Sequence, residues 1–486
     1  MSILVIDVGT TTVRAAVVTP EGKVKNLRQR KLHSVSPAPG MLEFDAAALA
    51  RDAIELGSAV AEEVSSVAAI GITNQRSTTV VWDRETGEPV APAIGWQDLR
   101  TVIRCIELAG QGYHTPPNAS ATKIEAILDG VDPDRRRDLC FGTVDSWLAW
   151  NLSNNDIHAS DLSNTAMTGF LASDGSGWNS ELLATLRIPE SMLPTVVDTS
   201  GVTGIANAIP GKPPITAMVG DQQASMVGQG CTMPGSVKIT FGTGAMLDCC
   251  TGASRPSFSY MGPNGGTIPI IAWQQNSIPT WGVEAIMLSA GSAINWLIDD
   301  MGILNSPDES DMLARQCEDA GDVYFVPALM GLGSPIWDFG ARGAFFGITS
   351  GTTKAQMIRA VLEGIAHRGV DLVEAAQMDT GFKIDSIRID GGMSRNTAFV
   401  QSLADLSGLT VQVSAETEAT TLGAGLLAGM AVGIWRDVDE LAGIYEPALV
   451  VQPAIGESDR LARRERFLEA RNRASRTIPE LSELHF

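Results

Sequence analysis

The chain has 486 residues, is 44% hydrophobic and 19% charged, and carries a formal net charge of -21. That length exceeds one ordinary core, so two or three domains are expected, of ordinary globular composition. The negative excess argues against sequence-independent nucleic-acid or anionic-membrane binding. Any phosphate site must then be locally positive, built from backbone N–H groups, a bound metal and a few Arg or Lys.

The opening MSILVIDVG has no basic region and carries Asp7, so it does not read as a signal peptide. Residues 3–6 form a buried-type strand that ends in Asp7, Val8, Gly9, Thr10, Thr11 and Thr12, and residues 14–18 return as a second strand. A carboxylate at such a strand end can hold Mg²⁺ through water while Gly and hydroxyls contact phosphate. An Asp before a glycine turn is also a common structural cap. Asp45 is placed to cap a helix running to about residue 64. A strand over 67–72 leads into Thr73-Asn74-Gln75-Arg76-Ser77, and Trp96 lies in GWQDLRT, which opens a helix to about residue 109. Polar groups after buried strands collect where α/β sheets bind ligands. Another helix starts at Thr122, and residues 141–152 read as one buried helix with Trp147 and Trp150 in the core.

Residues 215–219 are an apolar run that delivers Gly220, Asp221, Gln222 and Gln223. A general base for an alcohol is a carboxylate within hydrogen-bond reach of the hydroxyl. A helix cap explains Asp221 equally well at this stage. The segment 228–235, with three glycines and Pro234, reads as a hinge. Residues 236–241 then form a strand that delivers Gly242-Thr243-Gly244, a turn that lets backbone N–H groups approach phosphate. ILVIDVGTTTVRAAVV and SVKITFGTGAMLDCCT share strand, Gly-Thr turn, strand, an internal repeat that suggests two related halves.

The second half predicts a helix over 283–299 that contains Gly291 and Asn295. Thr352 and Thr353 cap a long amphipathic helix to about residue 377. A strand over 386–389 ends in Asp390-Gly391-Gly392-Met393-Ser394-Arg395-Asn396, and the glycine pair permits a flat base or ribose to lie on the backbone. Residues 418–434 form a small-residue helix suited to close packing, and 459–476 a charged surface helix. The longest uncharged run, 420–435, is too short to span a bilayer. The six cysteines show no CxxC or CxxH spacing, which argues against zinc and fits a reducing cytoplasm. There is no GxxxxGK[ST], GxGxxG or GxSxG motif, so P-loop and common serine-hydrolase chemistry are set aside.

The ordered set IDVGTTTVRAAV, ITNQRSTTVVWDRETGEPV, GWQDLRT, FGTVDSWLAWNL, GDQQASMVGQ, ITFGTGAM, ARGAFFGIT and IDGGMSRN resembles the FGGY carbohydrate kinases, and within them the glycerol-kinase-like branch. The resemblance covers nearly the whole chain. It implies an α/β fold of two actin/Hsp70-like (ribonuclease-H-like) domains with a cleft between them, here residues 1–230 for the polyol and the base and 231–486 for the nucleotide. It implies ATP and Mg²⁺ as cofactors, a small polyol or sugar as substrate, and a homodimer or homotetramer. Carried over by position, Asp221 is the catalytic base and Asp7 the Mg²⁺-side carboxylate. Arg76, Ser77, Trp96, Asn118, Asp221, Gln222 and Met246 surround the polyol. Thr10, Thr11, Thr12, Arg14 and Thr243 flank the phosphates, and Gly291, Asn295, Gly392 and Asn396 hold the nucleotide. The chain departs from the glycerol-kinase pattern at Ser77, where the family has a Glu that holds glycerol hydroxyls. It also departs at Asn118, where the family has a stacking Tyr, at Met246 for Phe and at Ala126 for Trp. Segment 204–214 is short and lacks the Arg that bacterial glycerol kinases use for fructose bisphosphate.

Three readings follow: a kinase of glycerol or a close polyol; a kinase of a longer polyol or ketose such as a tetritol, pentitol, xylulose or ribulose; and a nucleotide-binding ATPase without sugar transfer. A pure ATPase needs no polyol grip, which Arg76 and Trp96 together supply.

Overall fold

The computed structural model describes residues 2–172 and 175–484. Two mixed sheets carry the fold. The first has the spatial order Ser200–Ile205, Pro214–Gly220, Val67–Asn74, Ser2–Val8, Thr12–Val18, Val24–Lys31. Its central strand runs antiparallel to Thr12–Val18 and parallel to Val67–Asn74. The second sheet has the order Ile268–Gln275, Ile278–Met287, Ala245–Gly252, Val237–Phe241, Ser386–Asp390, Thr410–Ser414, Pro447–Val451. Here too a hairpin sits at the centre, with a third antiparallel strand on one side and two parallel strands on the other. The two Gly-Thr hairpins therefore occupy equivalent places in two like sheets, and the sequence repeat is a repeat of architecture.

Parallel register brings chemistry to one edge. Asp7 pairs with Thr73, and Thr73 with Val219, so the Gly9 turn, Gln75-Arg76 and Asp221 follow neighbouring strand ends. In the second sheet Thr240 pairs with Asp390 and Ala245 with Met287. The turns at Gly242, Gly391 and Gly291 thus share the corresponding edge.

Helix starts agree with their capping residues. Asp45 accepts the Ala48 N–H at 2.9 Å and opens Ala46–Glu62. Thr353 and Gln356 form a reciprocal capping box at the start of Lys354–Thr380. Trp147 and Trp150 are core residues, as expected.

Four sequence expectations are corrected. The run 141–152 is a strand, Leu139–Gly142, and a separate helix, Val144–Leu152. The run 283–299 is likewise the strand Ile278–Met287 followed by the helix Gly291–Asp299. Short fully buried strands lack alternation and read like buried helix. The helix after GWQDLRT begins only at Val102. The helix Glu457–Ala474 is not only a surface element. It buries Arg464, Phe467, Ala470 and Ala474, stacks Phe467 on His367 at 4.3 Å between centroids, and sends Arg464 and Arg471 to the buried Asp371.

The lobes meet through two helices, Asp221–Gly228 and Ala419–Ala431. Each follows the outer parallel strand of its own sheet. A Cβ at Gly228 would stand 1.9 Å from the Ala419 carbonyl oxygen, and one at Gly423 would stand 1.8 Å from that of Ala224. A Cβ at Gly71 would stand 2.7 Å from the Ala424 oxygen, so the second helix also lies directly on the first sheet. The small-residue run thus serves backbone-to-backbone packing, and Gly228 belongs to a packed crossing. A shared apolar core with Val5, Val18, Val219, Met226, Leu422 and Leu426 surrounds it.

Gly423→Ala should therefore destabilise the protein by at least the ~1–3 kcal/mol typical of overpacking, because the neighbour is backbone. Gly130→Ala, whose Cβ meets nothing within 4 Å in the Ala121–Val131 helix, should be neutral or stabilising. Thermal unfolding of the two variants checks the contrast.

Candidate active site

Asp221 is the first residue of its helix, reached directly from a buried strand. Its Oδ1 accepts the Gln222 N–H at 2.8 Å and faces Arg76 Nε at 3.6 Å. Its side chain is 28% exposed, against 9% for Arg76. Burial raises the Asp221 pKa, while Arg76, the Gln222 N–H and Lys238 hold it down. A carboxylate so placed is a stronger base than an exposed one.

Asp7 Oδ2 lies 3.4 Å from Arg14 Nη1 and accepts from Thr421 Oγ1 at 3.1 Å, so the second lobe's helix reaches the first hairpin. Arg14 also pairs with Glu418 at 3.3 Å. Burial pushes the Asp7 pKa up to about 6, against Arg14 and Thr421, and the Asp221 charge adds to the rise. Trp96 donates its indole N–H to Thr10 Oγ1 at 3.2 Å. This joins a polyol-side residue to a phosphate-side residue. Thr11 is exposed at the turn, and Thr12 and Arg14 are half-buried on the returning strand.

On the second lobe, Gly242 and Thr243 are exposed, and the Thr243 carbonyl receives the Ala290 N–H at 2.9 Å and the Ser292 N–H at 3.0 Å. Gly291 donates to the Gly242 oxygen at 2.9 Å, and a Cβ there would stand 2.6 Å from it. The start of the Gly291–Asp299 helix is thus docked on the Gly-Thr turn, with Asn295 exposed on it. Gly392 is exposed with open space at its Cβ position, as a flat ligand on the backbone requires. Asn396 is committed differently. Its Oδ1 caps the Phe399 N–H at 2.9 Å and its Nδ2 donates to Ser310 at 2.9 Å, so its amide ties the Thr397–Ser407 helix to Pro307–Ala314.

Ser77 is buried with a left-handed backbone, φ 63°. Its hydroxyl donates to the Met167 carbonyl at 2.9 Å, and its own carbonyl accepts from Ser120 at 3.0 Å. The Asn118 carbonyl is held by Lys123 Nζ at 3.2 Å. Met246 is half-buried beside Thr240 and Ile286 in the ladder.

Several polar residues were not singled out by the sequence. Lys123, fully buried, also donates to the carbonyls of Gly95 at 2.9 Å and Trp96 at 3.1 Å, and burial lowers its pKa to about 7. Lys238 donates to Gln222 Oε1 at 2.6 Å and pairs with Asp248 at 2.7 Å. Glu284 accepts from Arg76 Nη2 at 2.7 Å. The available signal was a lone charge inside an apolar strand, as in VKITF and AMLDCC.

Among the described residues no cluster of three or more His, Cys, Asp or Glu is arranged to hold a metal. The donor set instead fits a hard cation held by one buried carboxylate, Asp7, and otherwise by phosphate oxygens and water.

Two like α/β lobes, each with a Gly-Thr hairpin at the same place in its sheet and the first with carboxylates at the adjoining strand ends, define a phosphotransferase of the actin/Hsp70-like class. The family models for the FGGY family of carbohydrate kinases match this chain over residues 2–228 for the N-terminal domain and 237–432 for the C-terminal domain. A glycerol kinase of Solidesulfovibrio magneticus is 40% identical over 482 residues, covering 94% of this chain and 95% of the relative. The crystal structure of Plasmodium falciparum glycerol kinase with ADP superposes with TM-score 0.90 at 27% identity, covering 97% and 98% of the two chains. A ligand-bound xylulose kinase from Lactobacillus acidophilus shares the fold, with TM-score 0.86 at 20% identity over 99% of this chain and 100% of that one. The chain belongs to the FGGY family of carbohydrate kinases and is an ATP-dependent carbohydrate kinase.

The raised Asp7 pKa gives a signed prediction. A carboxyl with a native pKa near 6 and an unfolded one near 3.8 favours the fold fully below about 4, and this contribution is lost as pH rises through about 6. Ligand-free Asp7→Asn should therefore gain stability relative to the wild type between pH 5 and pH 8, by about 1.4 kcal/mol, since roughly one unit of the shift is titrated over that range. Thermal unfolding at both pH values reads this out. An unchanged difference between them would refute it.

Proposed function

We propose that the chain transfers the γ-phosphoryl of ATP to a terminal hydroxyl of glycerol or a close polyol, with Asp221 as general base. The observation that supports this reading is the contact of Asp221 with Arg76 and with the Gln222 N–H, at a strand end next to that of the first Gly-Thr hairpin, whose Thr10 accepts from Trp96. Asp221 accepts the hydroxyl proton as the substrate oxygen forms its bond to phosphorus and the bond to the bridging oxygen of ADP breaks. Arg76 and Gln222 orient the polyol. Backbone N–H groups of the two turns, with Thr10, Thr11, Thr12, Arg14 and Thr243, offset charge on the phosphoryl group. Mg²⁺, held on the Asp7 side through water, would add Lewis-acid charge neutralisation. Gly291, Asn295 and Gly392 form the nucleotide side, with Asn396 supporting them from beneath.

We further assign residues 1–230 to the polyol and 231–486 to the nucleotide, with closure of the lobes excluding water. Among the described residues no helix is long and apolar enough to cross a membrane, and the six cysteines are free. The free thiols support a cytoplasmic enzyme.

Ser77 and Asn118 favour a second reading, a longer polyol or ketose, because both replace larger groups of the resembling branch. Coupled ADP release with Mg-ATP against glycerol, erythritol, threitol, ribitol, arabinitol, xylitol, xylulose and ribulose separates the two. The highest kcat/KM for glycerol is expected, and a longer compound winning would overturn the choice of substrate. Asp221→Asn should cut turnover ~10²-fold or more, as for a lost general base, while polyol binding by calorimetry is largely kept. Near-normal turnover would remove Asp221 from the role.

A further inference from the structure

A line of buried charge lies against Arg76 and Gln222 and is not used by the chemistry above. It crosses three neighbouring strands of the second lobe. Lys238 stands opposite Asp248 in one antiparallel pair, and Asp248 opposite Glu284 in the next. All three are 0–1% exposed. Each end of the line touches a residue of the proposed polyol grip. Lys238 Nζ donates to Gln222 Oε1 at 2.6 Å, and also to Thr240 Oγ1 at 3.0 Å. Glu284 Oε2 accepts from Arg76 Nη2 at 2.7 Å. Arg76 thereby lies between a first-lobe carboxylate, Asp221, and a second-lobe carboxylate, Glu284. Its Nη1 is buried with no hydrogen-bond partner among the described residues.

We infer that Glu284 and the Lys238–Asp248 pair are positioning residues that act from the second lobe on the first lobe's polyol grip. Glu284 fixes the guanidinium of Arg76, and Lys238 fixes the amide of Gln222, on either side of Asp221. This rests on Asp221 being the base. The arrangement has a consequence for how the enzyme works. Arg76 and Gln222 hold their working geometry only while the two lobes are together, so the grip on the polyol and closure around the nucleotide are one event. Buried charges are costly to orphan. Separating the lobes would strip Arg76 and Glu284 of each other, which favours the assembled cleft.

The charges facing Asp221 fix the signs of a test. They are Arg76 after its strand, Asp7 on the first hairpin, and Lys238 and Asp248 on two strands of the second sheet, with Glu284 on the third acting through Arg76. Removing the Glu284 charge leaves Arg76 to pair with Asp221 alone, so Asp221 stays ionised to lower pH and becomes a weaker base. Glu284→Gln should lower kcat about 10-fold, with the acid limb of the kcat/KM–pH profile moved to lower pH. Glu284→Asp should recover part of both. The charge-balanced double variant Lys238→Met/Asp248→Asn frees Gln222. It should raise the polyol KM about 10-fold with a smaller change in kcat and no downward move of the acid limb. A purely structural role would reduce active enzyme and move neither the pH limb nor the KM-to-kcat split. Wild-type kinetics and pH profile in folded Glu284→Gln, or an acid limb in place with kcat reduced, would overturn the inference. Asp221→Asn measured alongside keeps the two ideas apart. Activity retained there sinks the base assignment, whereas activity lost there with Glu284→Gln unaffected sinks only this one. Should Glu284→Gln fail to fold, Glu284→Asp carries the kcat and pH readout in reduced size, and the double variant carries the KM-to-kcat readout.

Discussion

The contact between the helices Asp221–Gly228 and Ala419–Ala431 is the constraint on which the site depends. No Cβ fits between them at Gly228 or Gly423. The first residue of one helix is Asp221. The first turn of the other supplies Thr421 to Asp7, and Glu418 just before it pairs with Arg14. One crossing therefore sets the position of both cleft carboxylates. Misplacement by about 1 Å is enough to cost ~10²-fold in such chemistry. Backbone-to-backbone contact is the packing that leaves least freedom for such a slip, because no side-chain rotamer can absorb it.

Charge is only partly offset locally in a chain that is strongly acidic overall. Asp7, Asp221, Asp248 and Glu284 share their surroundings with Arg14, Arg76 and Lys238. Burial raises the pKa of Asp7, Asp221 and Glu284, and the cations pull each back. The result is a cleft whose acids stand nearer neutrality than exposed carboxylates, which suits an acceptor of an alcohol proton. The phosphate side carries little formal positive charge beyond Arg14. It relies on turn N–H groups, as glycine-flanked turns permit.

Much of this was legible in the sequence where a local signal existed. Asp45 and Thr353 are caps that act within one turn, and the structure places both as read. The Gly-Thr hairpins were legible because a strand, a glycine turn and a returning strand are contiguous. The strand Ile278–Met287 was not, because an apolar run buried on both sides carries no period of two. That loss mattered, since it hid Glu284. Lys238, Asp248 and Glu284 meet only through cross-strand register, and Arg76 reaches Glu284 only across the lobes. Register between distant strands is a tertiary property, so no window of sequence contains it. Ser77 shows the same limit in another form. Its small side chain suggested spare room, yet its hydroxyl is spent on the Met167 carbonyl.

That last contact bears on what the cleft selects. Ser77 ties its own left-handed turn to the Ala166–Thr168 helical turn, and Lys123 ties Asn118 to the carbonyls of Gly95 and Trp96. Ser77 thus fixes the loops around the cleft with its side chain, and Asn118 with its main-chain carbonyl. In the reading proposed above, the side chains left to grip hydroxyls are Arg76, Trp96, Asp221 and Gln222. Arg76 and the Gln222 amide donate, and Asp221 accepts. Three of these four, Arg76, Trp96 and Gln222, are themselves held by hydrogen bonds of 2.6 to 3.2 Å to groups outside the polyol site. Selection then rests on a few rigid polar directions and on how far an acyclic chain extends past them, which makes the spacing of hydroxyls from the reacting end, more than the room beside Ser77, the quantity the cleft measures.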